Sequence, residues 1–157
     1  MKRAIIFGLA LLAAGCASKN QQPAVDVLAD TRDPSCYTVD LFTKVQFQEP
    51  QANVPSDWRG FAGKWGGGKW GGRWCHDLYV LNVMPDGQVN IVETYAPYEP
   101  WGKRASAFRR TAQIGEDGRL RVAYGRVRME YWLEDGELRG MREENGDRHL
   151  IALARLN

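Results

Sequence analysis

The chain has few of the residues on which catalytic and metal sites are usually built. It contains two histidines, three cysteines and four serines among 157 residues. His76 and His149 are far apart in sequence and show no metal-ligand spacing, so we predict neither a metal nor a cofactor. A zinc site that joins both histidines to Asp77 is the alternative, which would require the fold to bring them together. None of the serines lies in a Gly-x-Ser-x-Gly motif, which excludes a hydrolase of that type.

The chain also lacks a surplus of charge once its first residues are set aside. It has 21 basic and 19 acidic residues, and Lys2 and Arg3 account for the whole excess. A balanced chain offers no concentrated basic patch, so we predict no nucleic-acid partner. The local basic cluster at residues 103–110 is interpreted as a solvated strand end and loop.

No apolar run is long enough to cross a membrane as a helix. The longest, Ala4 to Ala14, follows two basic residues and leads into Ala13-Ala14-Gly15-Cys16. This pattern resembles a bacterial lipoprotein signal, although Ala13 stands where leucine is common. The resemblance implies cleavage after residues 1–15 and acylation of Cys16. Ala17 and Ser18 follow it without an aspartate that would suggest retention in the inner membrane, so we expect an anchor in the outer membrane rather than the inner one. An ordinary secretory signal cut near Ala17 is the alternative.

The two remaining cysteines are expected to form a disulfide. Export places Cys36 and Cys75 in an oxidising compartment, where disulfides persist. The alternative is a Cys75 thiolate activated by His76. Adjacent residues on a strand point to opposite faces, which argues against that pair.

Composition divides the exported part into three segments. Residues 16–35 comprise the acylated cysteine and a polar tether, and residues 36–57 form an extension with one strand, in which Tyr37, Val39 and Leu41 alternate. Residues 58–157 are sufficient for a single domain with one core. We expect a monomer.

Alternation and turn residues predict an all-β fold for residues 58–157. Asp-Gly or Asn-Gly occurs at residues 86, 117, 135 and 145, each flanked by alternating apolar and polar residues. No segment shows a helical period with caps. The pattern predicts a single antiparallel meander of seven or eight strands, closed or nearly closed into a small barrel, with an open sandwich as the alternative.

A glycine- and tryptophan-rich run precedes this meander. Gly-basic-Trp occurs three times in residues 60–74, and the copy Gly63-Lys64-Trp65 resembles the Gly-x-Trp motif at the start of the calycin barrel. Arg155 matches the basic residue of the last calycin strand. The resemblance implies a calycin-like barrel closed at one end by Arg155 over Trp65, a structural role. Residues 70–80 are also similar to small exported proteobacterial domains without an assigned activity.

An aromatic segment between two predicted strands is the best candidate binding site. Tyr95, Tyr98 and Trp101 lie in it beside two prolines, and Trp132 joins the group because it lies on the polar face of its strand. The alternative is a lid whose rings are buried over the barrel mouth. The indoles of the glycine-rich run could likewise form a stacking platform for sugars or cations.

These observations favour a protein without catalytic activity. Glu93, Glu99 and Glu130 could supply paired carboxylates as in glycosidases, but isolated acids on an alternating sheet usually form its wet face. Two functions remain. The first is binding of a small amphipathic or sugar-like ligand at the barrel mouth. The second is a protein-interaction module, such as a protease inhibitor or an envelope assembly factor.

Overall fold

The computed structural model describes Asp33, Cys36 and residues 45–157. A four-residue helix precedes eight strands, and a short 3-10 helix, Glu99–Trp101, lies between the third and fourth strands. The elements are α1 Ser56–Arg59, β1 Gly63–Trp70, β2 Trp74–Val83, β3 Gln88–Tyr95, β4 Ser106–Ile114, β5 Leu120–Tyr124, β6 Val127–Glu134, β7 Glu137–Glu144 and β8 Asp147–Leu156. The predicted signal, Cys16, the strand at Tyr37 to Leu41 and all of the tether except Asp33 lie outside the described residues. The Asp33 N–H donates to the Gly67 carbonyl oxygen at 3.0 Å, and its carboxylate pairs with Lys69, so this tether residue contacts β1.

The strands form one closed antiparallel meander in sequence order. Each strand pairs with the next, and β8 returns to pair with β1 through Trp65 and Arg155. This confirms the predicted all-β barrel and excludes the open sandwich. Closure pairs the edges that an open sheet would expose.

Two-residue turns set the register of the last two hairpins. Asp135 and Asn145 have φ of 53°, and the glycines that follow them have φ of 79° and 89°. Positive φ at both positions is typical of turns that match the twist of the flanking strands. The Asp-Gly and Asn-Gly signals therefore mark the β6–β7 and β7–β8 connections correctly.

A bulge in β1 explains the glycine-rich run. The β1–β2 register shifts between Trp65 and Gly68, so that Trp65 and Trp70 are both buried although they are five positions apart, an odd spacing that regular alternation would place on opposite faces. A Cβ at Gly68 would overlap the Ala152 carbonyl oxygen. Of the three Gly-basic-Trp copies, the first therefore begins β1, while Trp70 ends it and Trp74 begins β2.

The barrel end next to Trp65 is sealed. The guanidinium of Arg155 donates hydrogen bonds to the carbonyl oxygens of Ala62, at 2.8 Å, and Gly60, at 2.6 Å. The Trp65 indole N–H donates to the Phe61 carbonyl oxygen at 2.8 Å. Phe61 and Val54, each 1% exposed, complete the plug.

The predicted disulfide is present. Cys36 is bonded to Cys75 of β2, with Cα atoms 5.6 Å apart. The bond joins Cys36 to the barrel wall, and it leaves no free thiol at Cys75 for the alternative nucleophile.

Alternation along the strands predicts that Leu133 and Leu150 lie in the core, but both are only half-buried. Leu133 lies at the edge of the core, and Leu150 is replaced inside the barrel by its neighbours Ile151 and Leu153, which are at most 1% exposed. In β8, adjacent apolar residues leave the alternation ambiguous, and pairing with β7 selects the face. The expectation for Leu150 was therefore wrong by one residue.

The wall between β4 and β5 is paired along only part of its length. Gln113 pairs with Arg121 and Ile114 with Leu120, whereas β4 pairs with β3 along eight residues, from Gln113 to Ser106. Beyond those two pairs, β4 and β5 diverge toward the end of the barrel opposite Trp65. We call this gap the β4–β5 seam.

Candidate functional site

The end of the barrel opposite Trp65 carries the candidate site. Here β1 turns into β2 at residues 71–73, β3 continues into the loop 96–105, and the β5–β6 and β7–β8 turns complete the rim. We call residues 96–105 the aromatic loop. Because an antiparallel meander brings alternate connections to one end, all of these segments share the same rim.

Backbone hydrogen bonds hold the aromatic loop in a defined shape. The Tyr98 N–H donates to the Lys103 carbonyl at 3.0 Å, and the Lys103 N–H donates back to the Tyr98 carbonyl at 3.1 Å. Between them the chain forms one 3-10 turn that ends at Gly102, where φ is 60°. A left-handed residue is required at that point, and glycine adopts it without a steric penalty.

The loop displays a tryptophan rather than burying it. Trp101 is 44% exposed and is held edge-on between Tyr98, with ring centres 4.9 Å apart, and Trp74, at 5.9 Å. Trp74 in turn stacks on Tyr95 at 4.4 Å. Phe108 of β4, 43% exposed, lies 6.3 Å from Tyr95 on the same rim. The rim therefore carries two exposed aromatic rings, Trp101 from the loop and Phe108 from β4, above the buried rings of Trp74 and Tyr95.

Below the rim, the barrel interior is filled by a buried polar and aromatic cluster. His76 has no exposed surface, and its ring lies 5.3 Å from Trp70 and 4.7 Å from Tyr95. The His76 Nδ1 lies 3.1 Å from the Thr94 carbonyl oxygen, which only accepts, so Nδ1 carries the proton. Nε2 then accepts a hydrogen bond from the Tyr131 hydroxyl at 3.0 Å.

Burial controls the protonation of this cluster. Desolvation, together with a smaller effect of the nearby Arg142, lowers the pKa of His76 to about 3, despite the bond to the Thr94 carbonyl, which acts in the opposite direction. Desolvation also raises the pKa of Tyr131 well above its usual value, so the phenol remains a donor. At neutral pH, His76 is an uncharged, fully hydrogen-bonded core residue.

A buried ion pair lies behind the β4–β5 seam. The Glu93 side chain has no exposure, and its Oε2 is 2.6 Å from the Nε of Arg110. The Tyr95 hydroxyl donates to the other carboxylate oxygen at 3.3 Å. Burial raises the pKa of Glu93, and Arg110 acts against that rise. The Arg110 guanidinium also stacks 3.4 Å from the Tyr124 ring centre, so this group closes the wall where the backbone does not.

The structure brings together three of the four predicted binding residues. Tyr98 and Trp101 lie on the rim, and Tyr95 lies directly below it, 2% exposed. Trp132 is elsewhere. It pairs with Arg139 on the outer wall near the sealed end, and its ring lies 4.9 Å from the Arg119 guanidinium.

The catalytic and metal arrangements considered above do not assemble among the described residues. Glu93 is inside the barrel, whereas Glu130 lies on the outer wall in ion pairs with Arg119 and Arg121, and Glu99 lies in the exposed loop. His76 is deep in the interior and His149 is at the rim, 6.4 Å from the Trp101 ring. Residues 45–157, with Asp33 and Cys36, contain no group of three potential metal ligands.

Sequence reasoning missed two members of the site. Phe108 alternates with Arg110 and Ala112 along a predicted strand and was not assigned to the site, whereas the structure leaves it 43% exposed on the rim. Trp74 was assigned to the glycine-rich run rather than to the loop, because its contact with Trp101 joins residues 27 positions apart in the sequence. Only the pairing of β2 with β3 brings the two together.

Comparison with known proteins gives no relative for this chain. No family model, no curated protein and no solved structure matches it. Within the described residues, no helix has the length and apolar character needed to cross a membrane.

Proposed function

We propose that the protein is a lipid-anchored, non-catalytic envelope protein that binds a partner protein through the aromatic loop. The observation that carries this proposal is the state of Trp101, which is exposed on one side while the hydrogen-bonded loop and two neighbouring rings fix its position. A ring that is already ordered loses little conformational entropy on binding. Tryptophan and tyrosine are also enriched among the residues that dominate interface energies.

A protein partner fits this rim better than a small ligand. Trp70, Trp74, His76 and Tyr95 fill the barrel beneath the loop, so the exposed rings face outward rather than into a cup. The rim also carries exposed Lys103 and Arg104. An acidic partner surface with an apolar cleft would complement both the rings and the charges.

A small-ligand function remains the second candidate because of two buried donors. Within the part of the chain that the structure describes, Trp70 Nε1 and Arg142 Nε have no hydrogen-bond partner. Arg142 lies 6.0 Å from the Trp74 ring and only 7% of it is exposed. Buried donors normally find acceptors, so an oxygen-bearing ligand that reached them would be stabilised.

A capture experiment from native envelope separates the two candidates. The bait is the full-length protein, compared with a Tyr98→Ala, Trp101→Ala double variant and with Phe47→Ala. Phe47 is a suitable control because it is 39% exposed but packs near Tyr79 and Lys64, away from the rim. We expect a protein that the wild type and Phe47→Ala capture and the double variant does not. Capture of a small molecule instead, or equal capture by all three baits, would contradict the proposal.

We further propose that Cys16 carries the lipid anchor and holds a monomeric protein at the outer membrane. Two or more acyl chains give stable attachment, whereas one is marginal. A Cys16→Ala variant should be released from the membrane fraction, and its signal should no longer be processed as in the wild type. Unchanged processing and membrane retention of this variant would exclude acylation at Cys16.

A further inference from the structure

At the β4–β5 seam, every second residue of β4 directs its backbone N–H and C=O groups toward the gap. The Ile114 N–H donates to Gly87, on the β3 side, while the Gly115 N–H donates to Arg119, on the β5 side. Residues of an antiparallel strand alternate between their two neighbours. Residues 106, 108, 110 and 112 therefore bond to β3, and Ala107, Arg109 and Thr111 direct N–H and C=O groups toward the seam.

Among the described residues, these three have no strand partner on the seam side. The β4–β5 ladder ends at Gln113 and Arg121, and β3 pairs along the opposite edge of β4. Ala107, Arg109 and Thr111 are exposed. Such a row is an unpaired sheet edge within a closed barrel, and natural proteins usually cover or blunt edges of this kind.

The wall beneath this edge is already closed by side chains. Arg110 stacks on Tyr124 and lies 5.1 Å from the Phe108 ring, and Glu93 neutralises its charge. A ligand that paired with the edge would therefore not need to enter or open the core. It would lie beside β4 in the seam, in the plane of the sheet and outside the core, in continuation of the aromatic loop, since that loop leads directly into β4.

We propose that this edge accepts an extended acidic peptide segment of the partner protein, which adds as a strand beside β4. The inference rests on the proposed function and names how the partner binds. Strand addition gives affinity through main-chain hydrogen bonds and specificity through alternate side chains. The free edge supplies three donors and three acceptors, from Ala107, Arg109 and Thr111.

Charge indicates the acidic character of the segment. Lys103, Arg104 and Arg109 are exposed along the loop and the edge, and none has an ion-pair partner among the residues that the structure describes. The same charges disfavour a second copy of this chain as the occupant. An antiparallel pair of β4 edges centred on Arg109 would place that residue opposite itself, and like charges in that position are destabilising.

Two surface grooves beside the seam offer room for alternate side chains. One, of about 480 Å³, runs over β2, β3 and β4 and is lined by Asn82, Asn90, Arg109 and Thr111 among others. The other, of about 300 Å³, lies on the far side of the seam, where Ala123, Arg128 and Met141 contribute. Side chains on the outer face of an added strand would point toward these grooves.

The substitution Thr111→Pro tests the edge most directly. The Thr111 N–H points away from β3, so Thr111→Pro removes one edge donor without removing a bond of the existing ladder. Thr111→Val keeps the donor and serves as the matched control. Unfolding midpoints of both variants must match the wild type within a few degrees before binding is compared.

The probe ligands are an array of capped heptapeptides that alternate Glu or Asp with Val, Ile, Thr or Tyr, applied to the full-length protein in detergent. We expect a subset to bind, with affinity about tenfold weaker for Thr111→Pro and unchanged for Thr111→Val, since one hydrogen bond of about 1.4 kcal/mol corresponds to a factor of ten. N-methylation of alternate peptide amides should abolish binding. Bound peptide should slow amide hydrogen exchange at Ala107, Arg109 and Thr111.

The outcomes distinguish this inference from the proposed function. If Tyr98→Ala, Trp101→Ala abolishes capture of the native partner but Thr111→Pro does not, the aromatic loop binds the partner and strand addition is wrong. If no peptide binds, if N-methylated peptides bind equally, or if the edge mediates a dimer of this chain, the inference is also overturned. If neither variant changes capture, both proposals fail.

Discussion

The guanidinium carbon of Arg155 lies 4.2 Å from the centre of the Trp65 ring, on the strand pair that closes the barrel. The same guanidinium binds two carbonyl oxygens of the segment that covers this end. Trp65 itself is 1% exposed and is anchored by its indole N–H. Trp65 and Arg155 therefore pair the first strand with the last, stack on each other, and hold the segment that covers this end of the barrel.

Substitution of Trp65 should destabilise the barrel more than substitution of Arg155, and substitution of Arg155 more than that of Arg148. We expect Trp65→Ala to cost about 3 to 5 kcal/mol of unfolding free energy, as a large-to-small core change, and Arg155→Ala about 1 to 3 kcal/mol. Arg148→Ala, on the same strand but in an exposed ion pair with Glu143, should cost at most about 1 kcal/mol. Urea unfolding measures all three. Equal costs for the two arginines would show that Arg155 does not secure the closure.

Trp101 should contribute to binding and little to stability. Because 44% of it is exposed and the core is filled without it, Trp101→Ala should change the unfolding free energy by about 0.5 kcal/mol or less, a shift of a few degrees at most in the thermal midpoint. The same change should abolish capture of the partner, while Phe47→Ala should leave both properties intact. A loss of stability as large as that of Trp65→Ala would make the aromatic loop a structural lid.

The fold could be predicted from the sequence because its signals are local. Alternation predicts one shared face for Val89, Ile91, Glu93 and Tyr95, and all four are buried. The interpretation of Glu93 as part of the wet face of the sheet was therefore wrong. The candidate site could be predicted only in part. The loop was recognisable from its rings and prolines, whereas the separation of Trp132 from it and the β4–β5 seam depend on pairing between strands. Local alternation does not specify where such pairing stops.

Loss of the disulfide should lower stability without changing the strand content. The bond joins residues 39 positions apart, and closing a loop of that length is worth about 3 to 4 kcal/mol in the chain-entropy estimate. In a Cys16→Ala background, Cys36→Ala with Cys75→Ala should show this loss in urea, with an unchanged far-ultraviolet circular dichroism spectrum. As an independent check, alkylation should add mass only after reduction. Labelling of both cysteines without reductant would show that they are unpaired in the protein as produced.

His76 should make the protein sensitive to acid. Its pKa is about 3 in the folded state and about 6.5 when exposed, so the unfolded chain takes up the proton first. The contribution of the neutral His76 to the unfolding free energy is fully present above pH 6.5. It is lost as the pH falls toward 3, by up to about 1.4 kcal/mol for each pH unit. His76→Gln cannot titrate here, so its unfolding free energy should fall less steeply than that of the wild type between pH 6 and pH 4.

Tyr131→Phe provides the control for this prediction. It removes the hydrogen bond to Nε2 but keeps the titrating ring, so it should lower stability at every pH while retaining the acid slope. The raised pKa of Glu93 acts in the opposite direction, because a carboxyl that holds its proton more tightly when folded gains stability as the pH falls. Glu93 is unchanged in all three proteins, so its contribution cancels in the comparison. The measurement is the unfolding free energy from urea titrations at each pH. If it falls equally with pH for the wild type and His76→Gln, His76 is protonated without unfolding, and its assignment as a buried neutral imidazole is wrong.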